Sequence, residues 1–429
     1  MKDLFKTILK DFHHSLPVKG VKPRELQVPV RSGKIISLIG PRRSGKTFYF
    51  YHIINQLLEE IPSEQIVYLN FEDERFDIAK EHFQVLMDAY FELYPENIGR
   101  ELFFFFDEIQ EIEGWEKFVR RIYDTFSKNI FITGSSAKML GKEIATHLRG
   151  RSLTYRLFPL SYKEFCKFKN IDVTDQYSTA GKSLLKRALQ DYLFCGGFPE
   201  LLELKPELIP MTLQSYFDVM IFRDIVERHQ VRNIPALKYF IKRLFNTISS
   251  EFSINKIFNE LKSMGFRIGK DQLYQFLEYV TDCFLFFLHY PYQQSLRKQQ
   301  MGNKKIYAID PGLVNAVTFR FTHDYGKLLE NVVFLHLIRN HMEIYFTRNH
   351  YECDFLLIEP ETPLRAIQVA YTLSEPETRS REITALEKAI DKFGLSSAYI
   401  ITFDGKETLS VGGKTIEVLP AWQWLLSEV

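Results

Sequence analysis

Short runs of apolar residues punctuate the first third of the chain: Ile35–Ile39, Ile66–Phe71, Leu102–Phe106, Asn129–Thr133 and Ser152–Leu157. Between them, Thr47–Glu60 and Ile78–Tyr94 carry apolar positions three and four apart and predict helices, the second ending at Pro95. Runs without polar alternation fit parallel strands covered on both faces. Strand and helix in turn predict an α/β unit, a doubly covered parallel sheet. Ahead of it, MKDLFKTILKDFHH has helical spacing and Leu26–Val30 reads as an extended lead-in.

From Pro159 the pattern becomes helical: Ser161–Phe165, then Leu184–Phe194, which runs into the turn Cys195-Gly196-Gly197-Phe198-Pro199-Glu200. Ala236–Tyr292 reads as three helices and a short hairpin, with Gly265 and Gly269 between the second and third helices. Ser295–Lys305 is polar without periodicity and is expected to be a loop or linker, after which Tyr307–Val317 bridges into the last domain. That domain opens with a helix at Gly326. Strands follow at Glu343–Thr347, Cys353–Ile358 and Ala366–Tyr371, then a helix at Arg379–Phe393 and strands at Ala398–Thr402 and before Pro420.

Composition narrows the class. The 429 residues suffice for about three domains at roughly 150 residues each, and 45% hydrophobic with 25% charged residues fits a folded globular chain. The four cysteines are scattered, without C-x-x-C or H-E-x-x-H, so neither a disulfide framework nor a structural zinc is expected. No signal peptide or membrane-length apolar run is read, which gives a cytoplasmic expectation with no membrane partner. The net charge of +1 hides an asymmetry: Ala236–Lys305 has 11 Lys/Arg against 5 Asp/Glu, whereas His323–Val429 has 10 against 16.

The strongest chemical signal lies between the first strand and its helix. Gly40-Pro41-Arg42-Arg43-Ser44-Gly45-Lys46-Thr47 fits G-x-x-x-x-G-K-[ST] in the strand-loop-helix setting that a phosphate-binding loop needs. Glycines let successive N–H groups converge on phosphate oxygens, and the helix N-terminus adds positive potential. Lys46 is then placed for the β- and γ-phosphates, and the Thr47 hydroxyl for Mg²⁺. The Phe-rich run ends in Asp107-Glu108, where Asp107 would hold the metal through water and Glu108 would polarise the attacking water. The acid run Glu72-Asp73-Glu74 reads as solvated rather than metal-binding. No N-K-x-D signal for guanine is present, so ATP is the expected nucleotide.

These motifs, with the strand that ends in Gly134-Ser135-Ser136, resemble AAA+ ATPases. The resemblance implies that Ser135 senses the γ-phosphate, with Thr133 as the second candidate. It also implies that an arginine after the next helix, Arg149 in preference to Arg151, acts in trans on a neighbouring subunit of a homo-oligomer. Two solvated arginines at a helix end are the competing reading. The order TGSSAKML, LRGR, FPLSYKEF and GGFPE resembles a group of prokaryotic AAA+ ATPases with a winged-helix segment and a nuclease-like C-terminal domain. It implies four segments: an ATPase domain at 1–158, a helical lid at 159–235, a winged helix at 236–305 and a PD-(D/E)XK-like domain at 306–429. The winged helix would offer its basic surplus to DNA or another nucleic acid, the alternative being a lid with a solvated basic face. In the last domain Glu330 and Asp354 stand at the first two metal positions of the nuclease pattern. Gln368 occupies the third place, where the pattern has another acid, and Ala370 the place of the lysine. Phosphodiester cleavage is therefore not expected: a neutral carbonyl replaces a charge and no ammonium is at hand. The reading is a Mg²⁺-dependent ATPase whose nucleotide state couples to oligomerisation or to partner binding, the alternatives being an ATP-regulated nucleic-acid switch or a nuclease.

Overall fold

The computed structural model describes residues 1–75, 82–135, 148, 150–293, 295–318, 324–348, 352–359 and 362–427. Its contacts separate into two units, Met1–Phe158 and Pro159–Val429.

In the first unit β1 (Ile35–Ile39), β2 (Ile66–Asn70), β3 (Phe103–Asp107), β4 (Asn129–Gly134) and β5 (Ser152–Arg156) form one sheet in the order β2-β3-β4-β1-β5. Every pairing in it is parallel. The helices include α1 (Lys2–His14), α2 (Lys46–Leu57), α3 (His82–Leu93) and α4 (Trp115–Thr125). The Phe-rich strand shows why no alternation was needed. Phe103 and Phe105 point into the layer of α2, where Phe105 meets Phe50 at 5.3 Å and stacks on Phe131 at 4.6 Å. Phe106 points to the other side and meets Phe118 of α4 at 5.6 Å. All four phenylalanines are fully buried, each stabilising the fold by about 1.5–3 kcal/mol through area removed from water. The pairings Ile39↔Gly134 and Asn70↔Asp107 bring the carboxyl ends of the strands to one edge, where open α/β sheets place their ligands.

The second unit begins with α5 (Tyr162–Phe168), closed at its N-terminus by the reciprocal Ser161–Glu164 capping box. Next come α6 (Thr179–Cys195), α7 (Ile209–Val219), a π-helical stretch Met220–Glu227 and α8 (Ile234–Phe245). The GGFPE turn holds because Gly196 has φ +78° and a Cβ there would lie 2.0 Å from Asp310 Oδ1.

After α8 the order is β6 (Ser250–Phe252), α9 (Ile254–Ser263), α10 (Lys270–Asp282), β7 (Phe286–His289), α11 (Leu296–Met301) and β8 (Lys304–Ala308). The three strands form an antiparallel sheet in the order β6-β8-β7. The expected linker at Ser295–Lys305 is thus corrected: most of it is α11 and the start of β8. Lysines 304 and 305 disguised the strand, because the partner of the buried Lys305 charge lies far away in sequence. Then follow α12 (Pro311–Val317), α13 (Tyr325–Arg339), β9 (Glu343–Thr347), β10 (Cys353–Glu359), β11 (Thr362–Val369), α14 (Pro376–Phe393), β12 (Ser397–Thr402), β13 (Glu407–Val411) and β14 (Lys414–Pro420). The six strands lie in the order β13-β14-β12-β11-β10-β9, parallel at β11/β12 and β12/β14 and antiparallel elsewhere.

Candidate functional site

The loop from β1 to α2 is shaped by backbone that most residues avoid. Gly45 has φ 92° and Arg43 φ 65°, and a Cβ on Gly40 would stand 2.1 Å from the Leu157 carbonyl oxygen. Only glycine lets that loop pass so close to the chain leaving β5. The buried Arg24 holds the loop from outside, donating to the Ser44 carbonyl at 3.0 Å and to the Phe158 carbonyl at 2.9 Å.

Lys46 lies folded into this loop, Nζ 3.2 Å from both the Gly40 and Pro41 carbonyl oxygens and 3.2 Å from Glu108 Oε1. Thr47 donates its hydroxyl to Asp107 Oδ2 at 2.6 Å. The other Asp107 oxygen accepts from the Thr133 hydroxyl, whose own oxygen takes the Glu108 N–H at 2.8 Å. Tyr68 donates to Asp107 Oδ2 at 3.2 Å, and Gln110 Nε2 donates to Glu108 Oε2 at 2.6 Å. Glu108 sits at φ 49°, ψ 46°, a left-handed conformation costly for a residue with a side chain. Arg42 pairs with Glu72 at 2.5 Å, so that acid is engaged at the loop rather than merely solvated.

Electrostatics separate the two acids. Burial, then the neighbouring Glu108 charge, push the Asp107 carboxyl up, against the hydroxyls of Thr133 and Thr47. Burial alone would raise Glu108 as well, but the Lys46 charge, aided by Gln110 and Arg42, brings it below the ordinary value. A fixed hydroxyl against a carboxylate beside a glycine cradle is a donor set that suits Mg²⁺ with a polyphosphate. Ser135 is wholly buried just past β4. Arg149 lies outside the described residues. Arg24 and Tyr68 were not foreseen, since no local motif marks either.

In the second unit Glu330 on α13 and Asp354 on β10 do come together, around a residue that sequence reasoning missed. Lys305 Nζ lies 2.6 Å from Asp354 Oδ1 and 3.1 Å from Glu330 Oε1. Tyr307 donates to the same Glu330 oxygen at 2.7 Å. Two expectations are thereby corrected. An ammonium does reach the pair, from β8 rather than from the place of Ala370. The Gln368 carbonyl is not offered to a metal: it accepts the Asp354 N–H at 3.0 Å, while its amide donates to Glu382 at 2.5 Å. Burial first, and then the Asp354 charge, raise Glu330 to about 7, opposed by Lys305 and Tyr307. Among the described residues no group of three or more His, Cys, Asp or Glu is arranged to hold a metal ion. None of their helices is long and apolar enough to cross a membrane.

Residues 32–166 match a family model described as an AAA domain, and residues 186–324 match a domain of unknown function, DUF8612. The chain is 38% identical to an uncharacterized protein of Methanocaldococcus jannaschii, MJ1544, over 99% of this chain and 96% of that one. It is 30% identical to an uncharacterized protein of Haemophilus influenzae, over 92% and 94% respectively. A structure of C. elegans PCH-2 overlaps 50% of this chain and 62% of its own, at 14% identity and a TM-score of 0.29. The chain thus carries an AAA domain at residues 32–166 and belongs to the family that contains MJ1544.

Proposed function

We propose that the protein is a Mg²⁺-dependent ATPase whose nucleotide state is read out by its second unit. The observation that carries this reading is the contact of Thr47 with Asp107 at 2.6 Å beside Lys46 and its loop. Bound Mg²⁺ would supply charge neutralisation at the phosphates. Lys46 and the loop amides bind and orient the polyphosphate, Thr47 and Asp107 hold the metal, and Ser135 contacts the terminal phosphate. Glu108 is the general base. Lys46 neutralises it at 3.2 Å, so a lysine drawn onto phosphates leaves the carboxylate free to take a proton from water. Arg149 from a neighbouring copy would complete the site.

A second reading, compatible with the first, concerns nucleic acid. The order α8, β6, α9, α10, β7, α11 and β8, with the strands paired β6-β8-β7, supports reading this segment as a winged helix. The turn before α10 exposes Arg267, α10 itself exposes Lys270 and Tyr274, and α11 exposes Arg297 and Lys298. This distribution favours phosphate contacts over a passive lid.

Glu108→Gln tests both. The variant should bind ATP as the parent does and lose turnover by about 10²- to 10⁴-fold. Sedimentation of this ATP-holding form should show a larger particle than the nucleotide-free protein, and binding to duplex DNA that weakens with salt. Undiminished turnover would remove Glu108 from its role, and an ATP-independent particle without DNA affinity would remove the coupling.

A further inference from the structure

We infer that Lys305 is the resident cation of the acidic pair in the second unit, standing where a metal nuclease would hold its ion and clamping the three-stranded sheet to the six-stranded one. Two close carboxylates cannot both stay ionised in a buried site without a positive partner. Here the partner is supplied by the chain itself. The Lys305 side chain is 12% exposed and those of Glu330 and Asp354 are 11% exposed each. Three of the four carboxylate oxygens are engaged: Asp354 Oδ1 by Lys305, Asp354 Oδ2 by the Val369 N–H at 3.0 Å, and Glu330 Oε1 by both Lys305 and Tyr307. Mg²⁺ requires oxygens at about 2.0–2.1 Å in octahedral array, so it would have to expel the ammonium first.

The apolar setting makes the clamp directional. Lys305 and Tyr307 lie two apart on β8 and share a face, as Glu330 and Phe334 do one turn apart on α13. The Tyr307 ring stacks on Phe334 at 4.0 Å with 4° between the planes, directly beside its hydroxyl bond to Glu330. One strand of the basic segment is therefore fixed by charge and by ring to α13 and β10. The unit is built to present that segment rigidly, not to cleave phosphodiesters.

Hydrogen exchange on the full-length protein tests this. In Lys305→Met the two carboxylates lose their cation, and amides of 304–308 and 327–334 should exchange roughly 100- to 1,000-fold faster. Adding Glu330→Gln and Asp354→Asn to Lys305→Met should return exchange to within about tenfold of the parent, since a neutral cluster needs no cation. Calorimetric titration of the parent with Mn²⁺ alone should show no binding that Asp354→Asn abolishes. Unchanged exchange in Lys305→Met, or Mn²⁺ binding that disappears with Asp354→Asn, would overturn the inference. Should Lys305→Met not fold, the triple variant decides: folded, it supports the clamp, and unfolded, it refutes it.

Discussion

Thr133 shows how much can rest on one hydroxyl. It donates to Asp107 and accepts from the Glu108 backbone, so it fixes the Asp107 carboxylate and the left-handed turn at Glu108 together. The sequence marked Thr133 only as second to Ser135, because motif spacing counts positions along a strand and not which hydroxyl faces the neighbouring one. Lys46, Thr47, Asp107 and Glu108 were legible since each sits in a contiguous motif. Arg24, Tyr68 and Lys305 were not, since topology brings them in from afar. Asp310 is a further buried acid with a measurable consequence. It accepts the Gly197 N–H at 2.7 Å and the Leu313 N–H at 3.1 Å, yet burial pushes it from 3.8 to about 6. A raised carboxyl binds its proton more tightly folded than unfolded. Its stabilising effect is complete below pH 4 and is lost as pH rises to about 6. Urea unfolding of the parent and of Asp310→Asn should therefore differ in pH dependence between pH 4 and 6, with the flatter profile in the variant.

Among the elements, the parallel sheet was readable because a strand covered on both faces needs no polar residue, and five successive apolar positions have few other uses. β8 was unreadable for the opposite reason: KKIYA opens with charges that only a distant acidic pair makes tolerable. The segment between α1 and β1 carried no pattern beyond the extended Leu26–Val30, yet Arg24 from it ties the Ser44 carbonyl of the loop to Phe158 at the unit's last residue. Arg24→Met keeps most of the apolar stem and removes both bonds. ATP affinity should fall by about tenfold, as expected for two lost charge-assisted bonds that only position the cradle. Turnover at saturating ATP should change little, and the ratio of KM to kcat effects separates this positioning role from catalysis.

At the scale of the molecule, the chain combines an AAA-type domain with a second unit that includes a basic segment of four helices and three strands and an acidic part built on a six-stranded sheet. The order of elements in the sequence suggested a metal-nuclease pattern, and Glu330 and Asp354 do meet. That these acids are closed by an internal lysine was not visible there, because the lysine precedes them by 25 and 49 residues on another sheet. All functional coupling in this account begins with a triphosphate entering the loop ahead of Lys46. Isothermal titration of ATP with Mg²⁺ into the parent and into Lys46→Ala tests that most directly. The parent should show one site per chain and the variant at least a hundredfold weaker binding, on the order of 3 kcal/mol for a buried phosphate-binding charge. Equal binding by both proteins, or none by the parent, would contradict it.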